Sequence, residues 1–348
     1  MPHPHATVSL SRRSILAGAV VAATAVTLPG AATAAPARRR RDNQVQVVTD
    51  GSALYELAAV PSLGQVFVGN PWRVSDREPR RRVFAIDGDA SAVVGEIDLG
   101  QVSPFGLTAH PTKPLLYAGD QLFTRSVVKI DARGLQVTAG VTLDGQPRGM
   151  AVNPATGKLY VTLTNQGQVA VLDARTLNLL KMITIGPVEP AKVAVNPETN
   201  RVYVANAARR ADGTSVSVID GDTDQVIDTV PVEPYALGIA VNPVTGKVYV
   251  SNYASGTVSV LDGGSHTVVG RATVGEAPVS VEANPLTNRI YVAHFTPAGG
   301  VSIIDSDTHT VRRVDAVPAT LGLAIDATRD RVYAASQTGG VVAAVDLT

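Results

Sequence analysis

An all-β fold, a seven-bladed β-propeller of four-stranded antiparallel blades closed by an N-terminal strand, is predicted by three observations. First, an aromatic-plus-Val core followed by a hydrophobic strand ending in Asp recurs seven times. The aromatics are Phe67, Tyr117, Tyr160, Tyr203, Tyr249, Tyr291 and Tyr333, and the aspartates are Asp87, Asp131, Asp173, Asp220, Asp262, Asp305 and Asp346. Successive aromatics lie 50, 43, 43, 46, 42 and 42 residues apart, a period that marks a repeat architecture. Second, each unit holds four β-branched runs too short for helices. Third, the last unit ends one strand short while the N-terminus carries one strand too many.

The first segment, residues 1–34, reads as a targeting signal. Ser11-Arg12-Arg13-Ser14-Ile15-Leu16 resembles the twin-arginine export signature. The apolar stretch from Ile15 to Leu28 that follows is too short to span a bilayer. Ala32-Thr33-Ala34 fits a small-x-small cleavage site, with an uncleaved anchor as the alternative. Residues 35–42 contain Arg38-Arg39-Arg40-Arg41 and read as a solvated basic linker, the rival reading being an arm touching cell-wall polymer or nucleic acid. Residues 43–348 form the propeller.

Within the propeller, Val45-Gln46-Val47-Val48 is the surplus strand, and Leu54 to Ala59 opens the first unit. Blade five shows the unit most clearly. Gly238 to Val241, Gly246 to Asn252, Thr257 to Asp262 and His266 to Val274 are separated by Asn-Pro, Thr-Gly and Asp-Gly turn signals. The chain stops after Val341 to Asp346, the third strand of unit seven. The strand at 45–48 is expected to complete that blade and hide its edge.

Composition removes several classes of function. The 348 residues carry 30 basic and 30 acidic side chains, so no global field draws the protein to nucleic acid or membrane. Without cysteine there is no disulfide scaffold, thiolate metal site, cysteine nucleophile or lipoprotein anchor. HExxH, GxSxG and Gly-rich phosphate loops are absent from the sequence. Asp220-Gly221-Asp222-Thr223-Asp224 lacks the distal Glu of a calcium loop and reads as a hairpin turn. No catalytic residue, metal site or cofactor is assigned.

Tyr203-Val204-Ala205-Asn206, Tyr249-Val250-Ser251-Asn252 and Tyr160-Val161-Thr162 look like the YVTN repeat, and residues 43–348 resemble the secreted YncE-like family of YVTN β-propellers. The resemblance implies the fold. It leaves function open, because related propellers include surface-layer proteins, binding proteins, lactonases and oxidoreductases.

Chemistry must then be sought where one unit departs from its siblings. The distances from aromatic to Asp are 20, 14, 13, 17, 13, 14 and 13 residues, so blades one and four carry insertions on the face that also holds the links between blades. The blade-one insertion contains Trp72, Arg73, Arg80, Arg81 and Arg82, and blade four offers Arg209 and Arg210. A Trp among arginines suits a planar or anionic ligand. Arg125 and Arg148 belong to the same face. Three residues after each aromatic stand Asn70, Asp120, Leu163, Asn206, Asn252, His294 and Ser336, the Asn being expected to cap a turn.

On the innermost strands one position reads Glu56, Gly106, Gly149, Lys192, Gly238, Ser280 and Gly322. Two residues on, it reads Ala58, Thr108, Ala151, Ala194, Ala240, Glu282 and Ala324. Glu56, Lys192 and Glu282 therefore interrupt rings of small residues at the channel, where they must pair, bind water or meet a ligand. The functional expectation is an exported, monomeric binding or scaffold propeller, extracellular, wall-associated or periplasmic. Its partner is an unidentified ligand or macromolecule, with weak polyanion or cell-wall contact. A propeller enzyme, lactonase- or lyase-like or a cofactor-dependent oxidoreductase, and a cell-surface structural protein are the alternatives.

Overall fold

The computed structural model describes residues 45–48 (as backbone), 53–71, 81–207, 214–345 and 347. The chain divides into Met1–Arg39 and Arg40–Thr348, and every described residue belongs to the second unit. The export segment, the whole linker, Asp346, Trp72, Arg73, Arg80, Arg209 and Arg210 lie outside the described residues.

The described chain forms seven four-stranded antiparallel sheets. Blade five consists of Ala236–Val241, Lys247–Asn252, Thr257–Asp262 and Thr267–Thr273, close to the expected runs. The first blade opens at Leu57–Val60, slightly later than the sequence suggests. Val45–Val48 pairs antiparallel with Val341–Val345, in register from Val45 opposite Ala344 to Val48 opposite Val341. The N-terminal strand thus completes blade seven, and the innermost strands of blades seven and one also pack together. This arrangement covers a strand edge that would otherwise offer unpaired N–H and C=O groups.

The core lies between neighbouring blades. Phe67, Val83 and Ile97 of blade one meet Leu107, Leu116 and Ile130 of blade two, and equivalent clusters fill the other six junctions. Burying each such side chain contributes about 1.5–3 kcal/mol. All seven repeat aromatics are buried. The tyrosine hydroxyls also reach the next blade: Tyr117 donates to the Ala174 carbonyl at 2.7 Å, Tyr203 to Gly263 at 3.1 Å and Tyr333 to Gly88 at 2.7 Å. Tyr160 reaches Asp224 at 3.2 Å, and Tyr249 meets the Ser306 hydroxyl. Phe67 has no hydroxyl, so the junction between blades one and two lacks this staple.

The six recurring aspartates among the described residues are turn caps. Asp220 Oδ1 accepts the N–H groups of Asp222 and Thr223, and Asp262 Oδ1 those of Gly264 and Ser265. Such Asx turns satisfy the backbone locally. The Asn-Pro turns do the same, with an added link between blades from Asn153 Nδ2 to Asn200 Oδ1 at 2.7 Å. The tyrosines, aspartates and Asn-Pro turns all act at one end of the ring. The other end carries the links between blades, the strand ends that flank the blade-one and blade-four insertions, and the entrances of the innermost strands.

Candidate functional site

At that variable end the innermost strands come unusually close. A Cβ on Gly106 would stand 2.2 Å from the Arg148 carbonyl oxygen, one on Gly238 2.2 Å from that of Val279, and one on Gly322 2.1 Å from that of Tyr55. Glycine recurs in this row because backbone of the next blade occupies the space where a side chain would start. Blades one and four break the row with Glu56 and Lys192, whose side chains meet: Lys192 Nζ lies 2.5 Å from Glu56 Oε2. Both are largely buried, with side-chain exposures of 16% for Glu56 and 25% for Lys192. The pair bridges blades three steps apart in the ring, so the two side chains span the axis.

Glu282 of blade six enters the same field. Burial pushes its carboxyl from 4.5 up to about 7, with Lys192 drawing it down and Glu56 pushing it further up. At neutral pH this carboxyl is therefore divided between its protonated and ionised forms. The three charges expected at the channel are thus electrostatic neighbours: two form an ion pair and the third sits near neutrality.

A fourth member comes from blade three. Arg148 feels Tyr235, Glu56 and Glu189 electrostatically, while burial lowers its pKa. No hydrogen bond or ion pair reaches its guanidinium among the described residues. Arg148 lies in a bulge between Pro147, opposite Leu163, and Met150, opposite Val161. Lys192 occupies the corresponding bulge of blade four, between Pro190 and Val193. A bulge breaks the two-residue alternation and re-aims side chains. Counting every second residue therefore selects Gly149 and passes over Arg148. The signal was present one position earlier, where Tyr55, Phe105, Arg148, Ala191, Leu237, Val279 and Leu321 contain a single charge.

Aromatic rings flank these charges. Tyr55 and Phe105 meet edge to face with centroids 5.0 Å apart, and Tyr235 packs likewise on Tyr253 at 5.4 Å. The Tyr55 hydroxyl accepts from Gln337 Nε2 at 3.2 Å. The entrance thus combines one cation without a direct partner, a compensated ion pair, a near-neutral acid and amphipathic rings. Such a set can hold an anion with an apolar body.

No protein-family model matches the chain. Two curated relatives, described as "Uncharacterized protein YncE" in Salmonella typhi and in Salmonella typhimurium, are each 23% identical to it over 113 residues. The match covers 30% of this chain and 31% of each relative, so the chain spans about a third of the length of the curated relatives it matches. Seven blades of four antiparallel strands and this weak local homology point the same way. The chain fits a YncE-like propeller family.

Within this YncE-like propeller, the other residues singled out by comparing blades have defined places. Asp120 is a complete turn cap: Oδ1 accepts the N–H groups of Leu122 and Phe123 at 2.9 Å, and Oδ2 accepts from Thr124 N and Oγ1 at 3.0 and 2.8 Å. Burial would raise its pKa, but the Phe123, Thr124 and Leu122 N–H groups outweigh that and lower it. His294 Nδ1 lies 2.8 Å from the Glu276 carbonyl and so carries the proton; Nε2 faces the Ser302 hydroxyl at 2.8 Å. Burial lowers its pKa and so favours the neutral ring. Asn252, the sibling of His294, makes the same kind of bridge. With its amide oriented to satisfy every partner, it donates to the Glu233 carbonyl and accepts from Thr257 and Ser259. Asn252 therefore ties its strand to the neighbouring strand and to the link between blades, a wider role than capping a turn, while Asn206 bonds only the neighbouring strand through Ser215 and Ser217.

Two of the rim arginines are described. Arg82 Nη1 lies 2.9 Å from Glu96 Oε1, with the Arg82 side chain 8% exposed. Arg81 Nη1 donates to Gln101 Oε1 at 3.0 Å, and its guanidinium stands 4.8 Å from the centroid of the exposed Phe123 ring. Among the described residues no group of three or more His, Cys, Asp or Glu side chains could hold a metal ion. No helix among them is long and apolar enough to cross a membrane.

Proposed function

We propose that this chain is an exported binding propeller that takes an anionic ligand on its insertion-bearing end, with Arg148 as the central contact and the arginine-rich insertions at the rim. The observation that carries the reading is the contrast between Arg148 and the other unusual side chains. His294 and Asp120 are fully engaged in structural bonds, and Lys192 is neutralised by Glu56. Among these residues Arg148 is the one whose side chain makes no hydrogen bond or ion pair, although Glu56 and Glu189 lie in its field, and a desolvated guanidinium gains most from a carboxylate or phosphate partner. Arg73, Arg80, Arg81, Arg209 and Arg210 extend the same charge preference outward on this proposal, with Trp72 as a flat face for stacking and Arg82 held in its ion pair with Glu96.

Thermal shift of the full chain against heparin, polyglutamate, benzoate and polylysine tests the binding half. Anions should raise the melting temperature and lose that effect at high salt. Stabilisation by polylysine alone would contradict it. Export is tested by replacing Arg12 and Arg13 with lysine. The variant should accumulate inside the cell, and unchanged export would remove the twin-arginine route.

One observation favours a second reading as a propeller lactonase or lyase. Glu282, with a carboxyl near neutrality, is suited to general acid–base chemistry. Turnover of a γ-lactone panel, lost in Glu282→Gln, would establish it. Absence of turnover with retained anion binding would favour the binding protein.

A further inference from the structure

The hairpin turn of blade two departs from its siblings in a way that an anion site at the ring entrance does not use. It joins Leu115–Gly119 to Ser126–Asp131, and at its tip stand Leu122 and Phe123, 39% and 54% exposed. At the same positions blade three has Asn165 and Gln166, blade five Ala254 and Ser255, and blade seven Thr338 and Gly339. A lone exposed apolar side chain is ordinary. Two adjacent large ones, on a turn whose siblings are small or polar, call for a partner.

The turn is also held firmly. Asp120 is fully buried, and its carboxylate accepts the N–H groups of Leu122, Phe123 and Thr124 together with the Thr124 hydroxyl. The backbone that carries both apolar side chains is therefore fixed before any partner arrives, which lowers the ordering cost of binding. From blade one, the Arg81 guanidinium stands 4.8 Å from the centroid of the Phe123 ring, and its Nη1 is pinned by Gln101 Oε1 at 3.0 Å.

The charge beside the tip is positive. Arg81 meets a neutral amide and an aromatic ring, and Arg125, two residues beyond Phe123, is exposed. The neighbouring acids are engaged elsewhere: Glu96 pairs with Arg82, Asp98 Oδ1 accepts the Gly100 N–H, and Asp120 caps its own turn. Leu122 and Phe123 project from a turn rather than line a groove, which suits entry into a soft lipid boundary better than docking on a matched protein surface. There an apolar tip enters between headgroups and acyl chains while flanking guanidiniums meet phosphate.

We propose that the blade-two hairpin is a peripheral docking tip for an anionic lipid surface, with Leu122 and Phe123 entering the interface and Arg81 and Arg125 facing the headgroups. Asp120 is a positioning residue that keeps the tip in shape. The contact goes beyond the anion site and does not depend on Arg148.

The chain has no cysteine, so Gln121→Cys takes one environment-sensitive fluorophore beside the tip without removing Leu122 or Phe123. The labelled full chain is titrated with vesicles of phosphatidylglycerol and phosphatidylcholine, and with phosphatidylcholine alone. The emission should shift to the blue and saturate on the anionic vesicles, and the neutral ones should need about ten-fold more lipid. In the labelled chain, Phe123→Ser should raise the half-saturating lipid concentration about ten-fold and Arg81→Gln about three-fold, both keeping a cooperative melt. If Arg81→Gln fails to fold, Arg125→Gln carries the charge comparison. The same fluorophore on Leu179→Cys, an exposed apolar position of an outer strand, should show no shift and so separates the tip from contact elsewhere on the chain. No shift on anionic vesicles, equal shifts at both positions, or an unchanged titration in Phe123→Ser overturns the proposal. A lipid-free shift that grows with protein concentration and vanishes in Phe123→Ser overturns it by giving the tip to a second copy of the chain.

Discussion

Glu56 of blade one and Lys192 of blade four meet across the propeller axis, with Oε2 2.5 Å from Nζ. The two residues stand in a row otherwise filled mainly by glycine, where neighbouring backbones nearly touch. Two charges held in so confined a place depend on each other. Lys192→Met leaves Glu56 unpaired beside Glu282 and is expected to destabilise the fold by about 1–3 kcal/mol, below a fully buried pair because the channel is partly open. The double variant Lys192→Met with Glu56→Gln should recover much of that loss. Urea denaturation of the parent, Lys192→Met, Glu56→Gln and the double variant measures the coupling, and strict additivity would show that the contact carries no energy.

Glu282 gives stability a pH dependence of definite sign. Its carboxyl moves from 4.5 when unfolded to about 7 when folded, so the native state holds a proton that the unfolded chain releases. Stability from this group is therefore greatest below about 4.5 and is lost as pH rises through about 7. Lys192 pulls against this shift and Glu56 adds to it. The turn aspartates act in the opposite sense. The Thr223 N–H bond holds Asp220 below its ordinary value, so its contribution disappears as pH falls through the carboxylate range. Glu282→Gln should flatten the melting-temperature profile between pH 5 and pH 8 without altering the acid limb. A profile identical to that of the parent protein would mean that Glu282 ionises normally.

The tyrosine staples predict a paired result. Tyr333→Phe removes the bond to the Gly88 carbonyl and should cost about 1 kcal/mol. Phe67→Tyr is the reverse experiment. Phe67 shares a core cluster with Ala132, which follows Asp131 as Ala174 follows Asp173, and Tyr117 already bonds Ala174 in that way. The added hydroxyl should therefore reach the Ala132 carbonyl and stabilise the protein by about 0.5–1.5 kcal/mol. Destabilisation would show that this junction has no room for the missing oxygen.

Ring closure rests on Val45–Val48 pairing with Val341–Val345. A chain beginning at Gly51 exposes the edge of the last blade. It should melt at a markedly lower temperature and associate through that edge, seen as dimers or larger species in light scattering. A monomer of unchanged stability would show that blade seven needs only three strands.

The repeat made the blades legible because each carries its own turn chemistry. Asp-Gly and Asn-Pro mark the turns, β-branched runs mark the strands, and siblings confirm one another. Val45–Val48 was legible as the strand that the last unit lacks. Glu56, Lys192 and Glu282 stood out against glycine and alanine, and the structure brings them into one electrostatic field. The sequence places Arg148 at this end of the ring but not in the channel, because the bulge in its strand breaks the alternation on which such counting depends. The role of His294 was illegible for another reason. Its ring imitates the two-ended bonding of the Asn252 amide, an equivalence of hydrogen-bond geometry that residue names conceal.

The most direct measurement of the account is the anomalous scattering of a halogenated carboxylate in crystals of the full chain soaked with 4-bromobenzoate. The account predicts bromine density at the insertion-bearing end of the ring, with the carboxylate on Arg148. Bromine found only in the grooves between outer strands, with the Arg148 guanidinium left to solvent, would contradict it.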